Sequence, residues 1–199
     1  MSLVIIKYNA GNIESVNNAL QRLGVKAEIT GDHEKIRSAD KVIFPGVGEA
    51  STTMAYLKKE GLDILIPSLK QPVLGICLGL QLMCSHSEEG DTPCLGIFEE
   101  KVKRFQPEPG MEFITKVPHM GWNNITKLNS AIFDSSLENQ FVYFVHSYYA
   151  TVGEHTAAEG NYINSFSAAL HRDNFYATQF HPEKSGPVGA RILENFLKI

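Results

Sequence analysis

The 199-residue sequence contains few cysteines and no zinc-binding pattern. Its three cysteines, Cys77, Cys84 and Cys94, are an odd number and do not form a disulfide framework. No Cys-x-x-Cys or Cys-x-x-His pair is present, so we expect no structural zinc, and nothing in the sequence predicts another metal or a cofactor. Free thiols persist in a reducing compartment, which favours a cytoplasmic location.

The sequence also lacks basic clusters and long apolar segments. It has 18 Lys and Arg against 22 Asp and Glu, a formal charge of −4, and no basic run exceeds two residues. This balance argues against a nucleic-acid-binding surface. The N-terminus, MSLVIIKY, has the length of a strand without the pattern of a cleavable signal. Because no apolar stretch approaches the roughly 20 residues that span a membrane, we expect no membrane association.

Short apolar segments alternate with helical patterns in the first 80 residues. Four strands are predicted, at residues 3–8, 27–30, 41–45 and 73–76. Residues 11–24 predict an amphipathic helix that Asn12 caps and Gly24 ends. Strands that alternate with helices indicate a parallel sheet with helices on both faces.

The pattern changes after residue 96, where strand-like segments follow one another through turns. These predicted strands are 125–128, 141–150, 167–172 and 175–180. Residues 186–199 predict a final amphipathic helix. We expect residues 1–199 to form one α/β domain, with a mostly parallel central sheet and antiparallel extensions.

Cys77 lies in the frame Gly75-Ile76-Cys77-Leu78-Gly79, between a predicted strand and a predicted helix. This is the context of a nucleophile elbow, in which flanking glycines avoid collisions in a strained turn. A following helix N-terminus lowers the cost of a thiolate, and the Leu78 N–H is free to bind an oxyanion. The alternative is a buried structural cysteine, so a base is needed to decide between the two.

His181 is the best candidate for that base. It follows the predicted strand 175–180 and begins the segment HPEKSG. In an extended segment the side chains of His181 and Glu183 share a face, where the carboxylate can orient the imidazole. Because the C-terminal ends of parallel strands meet at one edge of a sheet, His181 and Cys77 are expected to converge there.

A third glycine turn, FPGVGEA at residues 44–50, also follows a predicted strand. Ser51 stands where a dinucleotide fingerprint needs a small apolar residue, and no phosphate-binding lysine follows. The remaining use of Gly46 and Val47 is to donate backbone N–H groups to developing negative charge. Together with the Leu78 N–H they would complete an oxyanion hole.

Three motifs in this order resemble the triad-type (class I) glutamine amidotransferases: PGVG, GICLGLQLM and QFHPEKSG. Three others resemble, more narrowly, the glutaminase subunits of imidazole glycerol phosphate synthases: YNAGNIESV, KVPHMGWN and FVHSYY. The matches extend from residue 8 to residue 186, and the narrower motifs distinguish the chain from other members of the broad family.

The resemblance implies a flavodoxin-like fold and a glutaminase that releases ammonia from L-glutamine. It implies a catalytic triad of Cys77, His181 and Glu183. It also implies that five residues hold the substrate: Gly48, Gln81, Glu89, Ser147 and Tyr148. Gln81 follows Cys77 by one helical turn, which independently places it near the same face, and Glu89 is suited to accept hydrogen bonds from an ammonium group.

The same resemblance implies a heterodimer with a cyclase subunit, a (β/α)8 barrel. The ammonia would pass to that subunit, which makes imidazole glycerol phosphate and aminoimidazole carboxamide ribotide in histidine biosynthesis. Four residues would face the barrel: Asn12, Trp122, Tyr143 and Lys184. We place Trp122 in a loop between strands. Since glutamine hydrolysis without an acceptor is wasteful, we expect the lone chain to be nearly inactive, with the glycine turn at 46–48 misaligned until the partner binds.

Several alternatives share parts of this pattern. Glutaminases of pyridoxal phosphate or anthranilate synthesis lack KVPHMGWN, and related thiol peptidases place a histidine where this chain has Leu78. A paralogue that supplies ammonia for surface-sugar synthesis remains open, as does a non-catalytic regulatory module of the same fold, although the intact triad argues against the latter.

Overall fold

The computed structural model describes residues 1–8, 12–110, 113 and 115–199. Residues 9–11, which belong to the motif YNAGNIESV and to the start of the predicted first helix, lie outside the described part. Thirteen strands and six α-helices occur among the described residues.

The strands are β1 (Leu3–Ile6), β2 (Glu28–Thr30), β3 (Lys41–Gly46), β4 (Val73–Cys77), β5 (His86–Ser87), β6 (Thr92–Pro93), β7 (Lys101–Arg104), β8 (His119–Asn124), β9 (Phe141–His146), β10 (Tyr148–Ala150), β11 (Thr156–Asn161), β12 (Ser165–Arg172) and β13 (Phe175–Thr178). The helices are α1 (Ile13–Arg22), α2 (His33–Ser38), α3 (Ala50–Lys59), α4 (Leu62–Ser68), α5 (Leu78–Met83) and α6 (Gly186–Lys198).

Five parallel strands form the centre of the main sheet, in the order β2-β1-β3-β4-β13. Strands β3, β4 and β13 are buried along their whole length, as strands covered on both faces must be. The register pairs Gly46 at the end of β3 with Cys77 at the end of β4, while Thr178 of β13 pairs with Ile76. The three strands therefore end together at one edge of the sheet.

The second half of the chain extends the sheet with antiparallel strands. Strand β12 pairs antiparallel with β13, β11 and β10, and β10 pairs antiparallel with β7. A separate two-stranded sheet is formed by β8 and β9. The predicted α/β fold, with a mostly parallel centre and antiparallel extensions, is confirmed.

The alternating side chains of β1 enter two apolar layers, one on each face of the sheet. Val4 and Ile6 pack into the layer that contains Ile36, Met54 and Leu65, contributed by α2, α3 and α4. Leu3 and Ile5 pack into the layer with side chains of α1 and α6, among them Val16, Leu20, Ile192 and Phe196. Helices thus cover both faces, and burial of each such side chain contributes roughly 1.5–3 kcal/mol.

Two of the predicted strand assignments are wrong in detail. Residues 125–128 form no strand, because Lys127 has a φ of 56° that turns the chain, and only Thr126 makes an isolated bridge to Glu159. The predicted strand 141–150 is two strands in different sheets, β9 and β10, separated at Ser147. Both segments are rich in β-branched, aromatic and other apolar residues and contain no Gly or Pro, so neither the turn nor the break is visible locally.

The prediction that Trp122 lies in a loop is also wrong. It lies in the middle of β8, opposite Tyr143 of β9. The segment 119–124 is rich in polar residues because only one face of this small sheet is buried, and such a strand carries little β-propensity signal. Among the helices described here, none is long and apolar enough to cross a membrane.

Candidate active site

Cys77 sits in a strained turn between β4 and α5. Its backbone has φ 56° and ψ −108°, a conformation that residues other than glycine rarely adopt. A Cβ on Gly79 would collide with the Phe44 carbonyl oxygen, and one on Gly75 would lie 2.9 Å from Met83 Sδ. The two glycines therefore permit the turn sterically. Leu78 is the first residue of α5, so its N–H has no partner inside the helix.

His181 and Glu183 form a buried pair just beyond the end of β13. Nδ1 of His181 lies 2.8 Å from Oε1 of Glu183. Only 1% of His181 and 8% of Glu183 is exposed. The Pro182–Lys184 turn positions the carboxylate, and the His181 N–H donates to the Tyr143 carbonyl at 3.0 Å, which anchors the segment on β9.

The partners of His181 determine its charge. Burial lowers the pKa of His181, but the interactions of the ring with Cys77 and Glu183 and the negative charges of both groups outweigh burial and raise that pKa to about 10. Nε2, the other ring nitrogen, is buried and has no hydrogen-bond partner among the described residues. The Glu183 carboxylate thus holds one nitrogen of the imidazole. The other nitrogen remains free to exchange a proton with the Cys77 thiol.

One cavity of about 430 Å³ joins these groups. Its lining includes Cys77, Leu78 and His181, together with the turn residue Val47. All five residues predicted to hold substrate also line it: Gly48, Gln81, Glu89, Ser147 and Tyr148. Gly46 does not line the cavity but pairs with Cys77 beneath it, and Glu183 lies behind the His181 ring. The predicted catalytic and substrate residues therefore converge from distant parts of the chain.

Glu89 and Gly48 shape the end of the cavity near α3. Oε2 of Glu89 accepts a hydrogen bond of 2.8 Å from the Ala50 N–H, at the first residue of α3. Burial raises the pKa of Glu89, although the Ala50 N–H opposes this rise. Gly48 has a φ of 116°, and a Cβ there would meet no atom within 4 Å, so the glycine is required by the backbone conformation and not by space.

Two neutral histidines form another wall of the site, in which His146 lines the cavity and His119 lies behind it. Nδ1 of His146 is 2.8 Å from the Tyr148 carbonyl, and Nε2 of His146 is 3.0 Å from Nδ1 of His119. Burial lowers the pKa of His146 to about 3, which the Tyr148 carbonyl only partly opposes, and burial lowers that of His119 to about 4. His119 stacks on Tyr162 with ring centroids 4.1 Å apart. Both rings of this wall are therefore uncharged near neutral pH.

The four residues predicted to face a partner form a band beside the triad. Trp122 is 55% exposed and packs edge-on against Tyr143 at 6.1 Å, and Lys184 is exposed next to Glu183. Asn12 was expected to cap α1, but it makes no side-chain cap; its Nδ2 instead donates to Glu183 Oε1 at 2.5 Å. Asn12 therefore touches the triad as well as the exposed band.

Sequence reasoning missed four residues of this site, one of which is Val145 in the cavity lining. His146 and Pro118 line the cavity, and Gln179 lies with its Nε2 3.8 Å from the Cys77 sulfur. A signal for Gln179 was present, because it stands two residues before His181 in an extended segment and so shares its face. His146 had no such signal, since its role depends on the break between β9 and β10.

Comparison with known families agrees with the resemblance seen in the motifs. The model of the glutamine amidotransferase class-I family matches residues 4–199. The chain is 63% identical to the imidazole glycerol phosphate synthase subunit HisH of Bacteroides thetaiotaomicron over 100% of both chains. It is 46% identical to the subunit of that name from Haemophilus influenzae, over 100% of this chain and 98% of the relative.

Solved structures with low sequence identity share the fold. A crystal structure of a glutamine amidotransferase superposes with a TM-score of 0.73 at 19% identity, covering 98% of this chain and 97% of that one. A glutamine amidotransferase from Thermotoga maritima gives a TM-score of 0.62 at 16% identity, over 100% of this chain and 83% of its own.

Proposed function

The chain belongs to the class-I glutamine amidotransferases and, within them, to the HisH subunits of imidazole glycerol phosphate synthase, and we propose that Cys77, His181 and Glu183 carry out its glutaminase reaction. The observation that supports this assignment is the convergence of a strained cysteine elbow and a carboxylate-held histidine on one cavity. Neither group alone distinguishes a catalytic site from a packed core.

The first step is attack on the side-chain amide of L-glutamine. The raised pKa of His181 places a proton on the imidazole at neutral pH, with Glu183 stabilising the cation. In the proposed reaction the thiol of Cys77 gives its proton to this pair, and the resulting thiolate forms a carbon–sulfur bond with the amide carbon. The amide oxygen becomes an oxyanion, which the Leu78 N–H and the N–H groups of Gly46 and Val47 are proposed to bind.

The second step releases ammonia and then glutamate. His181 donates its proton to the amide nitrogen, the carbon–nitrogen bond breaks, and a glutamyl thioester remains on Cys77. His181, now neutral, takes a proton from water, whose oxygen attacks the thioester. The carbon–sulfur bond breaks and glutamate leaves, so that the enzyme returns to its starting state with one water consumed.

Substrate recognition uses the rest of the cavity. Glu89 is proposed to bind the α-ammonium group, since its carboxylate is the acidic group near the α3 end of the lining. Gly48, Ser147, Tyr148 and Gln81 are proposed to contact the remaining polar groups of glutamine. A cavity of about 430 Å³ has room for an amino acid of this size.

The relatives are named as subunits of imidazole glycerol phosphate synthase, which supports a partner subunit for this chain. We propose that the ammonia passes through the partner, a (β/α)8 cyclase subunit, because free ammonia is mostly protonated in neutral water and then lacks a nucleophilic lone pair. The acceptor would be a phosphoribulosyl aminoimidazole carboxamide nucleotide, in the cytoplasmic pathway to histidine. The proposed contact band with the partner consists of four residues: Trp122, Tyr143, Lys184 and Asn12.

Replacement of the nucleophile tests the proposal. In the complex with its cyclase subunit, Cys77→Ala is expected to reduce glutamate release from glutamine by at least about 10³-fold, because the covalent route is lost. The matched control is Cys94→Ala, which removes a half-buried thiol outside the cavity lining and is expected to keep turnover. A Cys77→Ala protein with a native circular dichroism spectrum and undiminished glutaminase activity would refute the assignment.

A further inference from the structure

Gln179 is fully buried beside the proposed nucleophile. It follows β13, and its N–H donates to the Ala168 carbonyl at 2.8 Å, so the backbone pairing with β12 continues past the end of the strand. Within the described part of the chain its side chain makes two polar contacts: Nε2 is 3.8 Å from the Cys77 sulfur, and Oε1 is 3.0 Å from Nε2 of Gln81. Gln179 does not line the cavity.

The orientation of the Gln179 amide follows from its neighbours. The Tyr148 carbonyl oxygen can only accept hydrogen bonds, and it lies 2.8 Å from the Gln81 amide group. Gln81 must therefore turn its nitrogen toward Tyr148. The same nitrogen carries a second hydrogen, which points at the Gln179 amide 3.0 Å away. Gln179 must therefore accept this hydrogen bond through its side-chain oxygen, Oε1. Its own side-chain N–H group is then directed at the Cys77 sulfur.

A second donor holds the carbonyl that sets this orientation. Nδ1 of His146 also lies 2.8 Å from the Tyr148 oxygen, which fixes the tautomer of His146 with Nε2 as an acceptor. Nδ1 of His119 satisfies that acceptor at 3.0 Å. The polarity of the chain of contacts from His119 to Gln179 is thus determined by one backbone oxygen, and each buried group in it has a partner of the correct kind.

We propose that Gln179 is a further catalytic residue of the glutaminase, whose N–H donates to the Cys77 thiolate and is aimed there by Gln81 and the Tyr148 carbonyl. A hydrogen bond to an ionised acceptor is about twice as strong as one to a neutral acceptor, so the donor favours the thiolate over the thiol. The inference rests on the proposed thiolate chemistry of Cys77. It concerns how readily the sulfur ionises, and not how tightly glutamine binds.

Two substitutions separate this role from packing. Gln179→Glu keeps the size of the side chain and an oxygen for Gln81, but directs a carboxylate instead of an N–H at the sulfur. Gln179→Met keeps an unbranched chain of similar length without a donor, and provides the test if Gln179→Glu does not fold. Gln21→Glu makes the same charge change at an exposed position on α1 and serves as the control.

The experiment measures the ionisation of the sulfur directly, in the complex with the cyclase subunit. The rate of alkylation by iodoacetamide is followed from pH 5 to pH 10, with Cys77→Ala identifying the part of the signal that belongs to this sulfur. Loss of the donor is expected to move the midpoint upward by roughly one pH unit in Gln179→Met and further in Gln179→Glu. The Gln21→Glu control is expected to titrate as the unaltered complex does.

Turnover provides the second measurement. Both Gln179 variants are expected to lower kcat for glutamine by roughly tenfold or more while KM changes little, because Gln179 lies outside the cavity lining. An alkylation midpoint that does not move in a folded variant would overturn the inference, and so would a change in KM alone. Alkylation needs no hydrolysis, so this result is independent of the Cys77→Ala turnover test of the proposed function.

Discussion

Two histidines face the same cavity and have opposite protonation behaviour. His181 and His146 are 1% and 6% exposed, yet the pKa of His181 is raised to about 10 and that of His146 is lowered to about 3. Burial lowers the pKa of both rings, so burial does not explain the difference. The partners do: His181 contacts a carboxylate and a thiol, whereas His146 contacts a backbone carbonyl and a neutral histidine.

The comparison indicates that the two walls of the cavity have different roles in proton transfer. The wall with Cys77 and His181 holds a proton that can move, because each position is stabilised by an ionisable neighbour. The wall with His146 and His119 holds its protons in fixed tautomers, and His146 donates a hydrogen bond to the Tyr148 carbonyl. The proposed reaction needs one charged pair, His181 and Glu183, to move a proton. The neighbouring histidines must stay neutral so that they do not compete for that proton.

The largest expected effect comes from removing the carboxylate that makes the two histidines differ. Glu183→Gln keeps the size of the side chain but loses the charge behind His181. We expect glutaminase turnover in the complex to fall by roughly 10³-fold, as a neutral amide cannot stabilise the imidazolium. The pKa of His181, followed by NMR of its ring protons, is expected to fall toward that of an ordinary histidine.

The control for this change is Glu14→Gln, which removes an exposed carboxylate from the first turn of α1. It is expected to leave turnover and the His181 titration as they are. If Glu183→Gln lowered turnover without moving the His181 titration, the carboxylate would be acting through something other than the charge of this ring.

The second effect is on the stability of the folded chain in acid. It tests the comparison through His146, the histidine that stays neutral. Between pH 6.5 and about 3 an unfolded chain protonates His146, while the folded chain keeps it neutral. Unfolding then takes up a proton, so stability falls as the pH decreases. From pH 7 to pH 5 this group contributes a loss of about 2 kcal/mol, which His146→Phe is expected to abolish in urea unfolding curves.

His181 has the opposite sign. Its raised pKa means that the His181 ring stays protonated in the folded chain between pH 6.5 and about 10, where the same ring in the unfolded chain is neutral, and the stability change described next is the contribution of this ring. The stabilisation is complete below pH 6.5 and is lost as the pH rises through that window. His181→Phe is therefore expected to flatten the alkaline side of the stability curve and His146→Phe the acid side. If both substitutions altered the same side, the comparison would fail.

The smallest expected effect concerns the outer face of the neutral wall. Trp122 lies on β8, where it points away from His119 and is 55% exposed. Trp122→Ala is expected to weaken binding of the cyclase subunit about tenfold, measured by calorimetry, because exposed aromatic anchors dominate such interfaces. The acid stability curve is expected to stay unchanged, since the histidine pair lies on the other face.

Ile64→Ala is the matched control for this prediction. Ile64 is 76% exposed on α4, which covers the sheet face opposite to α1 and α6. We expect the control to bind the cyclase subunit as the unaltered chain does. Equal affinities for Trp122→Ala and the unaltered chain would remove Trp122 from the proposed contact band.

Some of this site was accessible from the sequence because its determinants are local. The glycines around Cys77 predict the elbow because the whole pattern lies within five residues, although an atom that a Cβ on Gly79 would meet, the Phe44 carbonyl oxygen, lies on another strand. The spacing of His181 and Glu183 predicts their contact for the same reason. The parallel strands predict that both ends meet at one edge, which follows from alternation of apolar strands with helices along the chain.

Other features depend on contacts between segments that lie far apart. The Asn12 side chain does not cap α1 but donates a hydrogen bond to Glu183, 171 residues away. The strand predicted over 141–150 breaks at Ser147 because its two halves join different sheets. Such choices are made by competing long-range partners, and the local pattern is the same for either outcome. Trp122 entered a strand for the same reason, through its pairing with Tyr143.

From the sequence alone came the chemical identity of the reacting groups and the turns that carry them, because bond geometry and side-chain spacing act over a few residues. Tertiary structure decided which histidine is charged and which is neutral, and toward which atom each buried amide turns its nitrogen. Those outcomes depend on the polarity of neighbours brought together by folding, and a sequence does not show which atoms will be within 3 Å of each other.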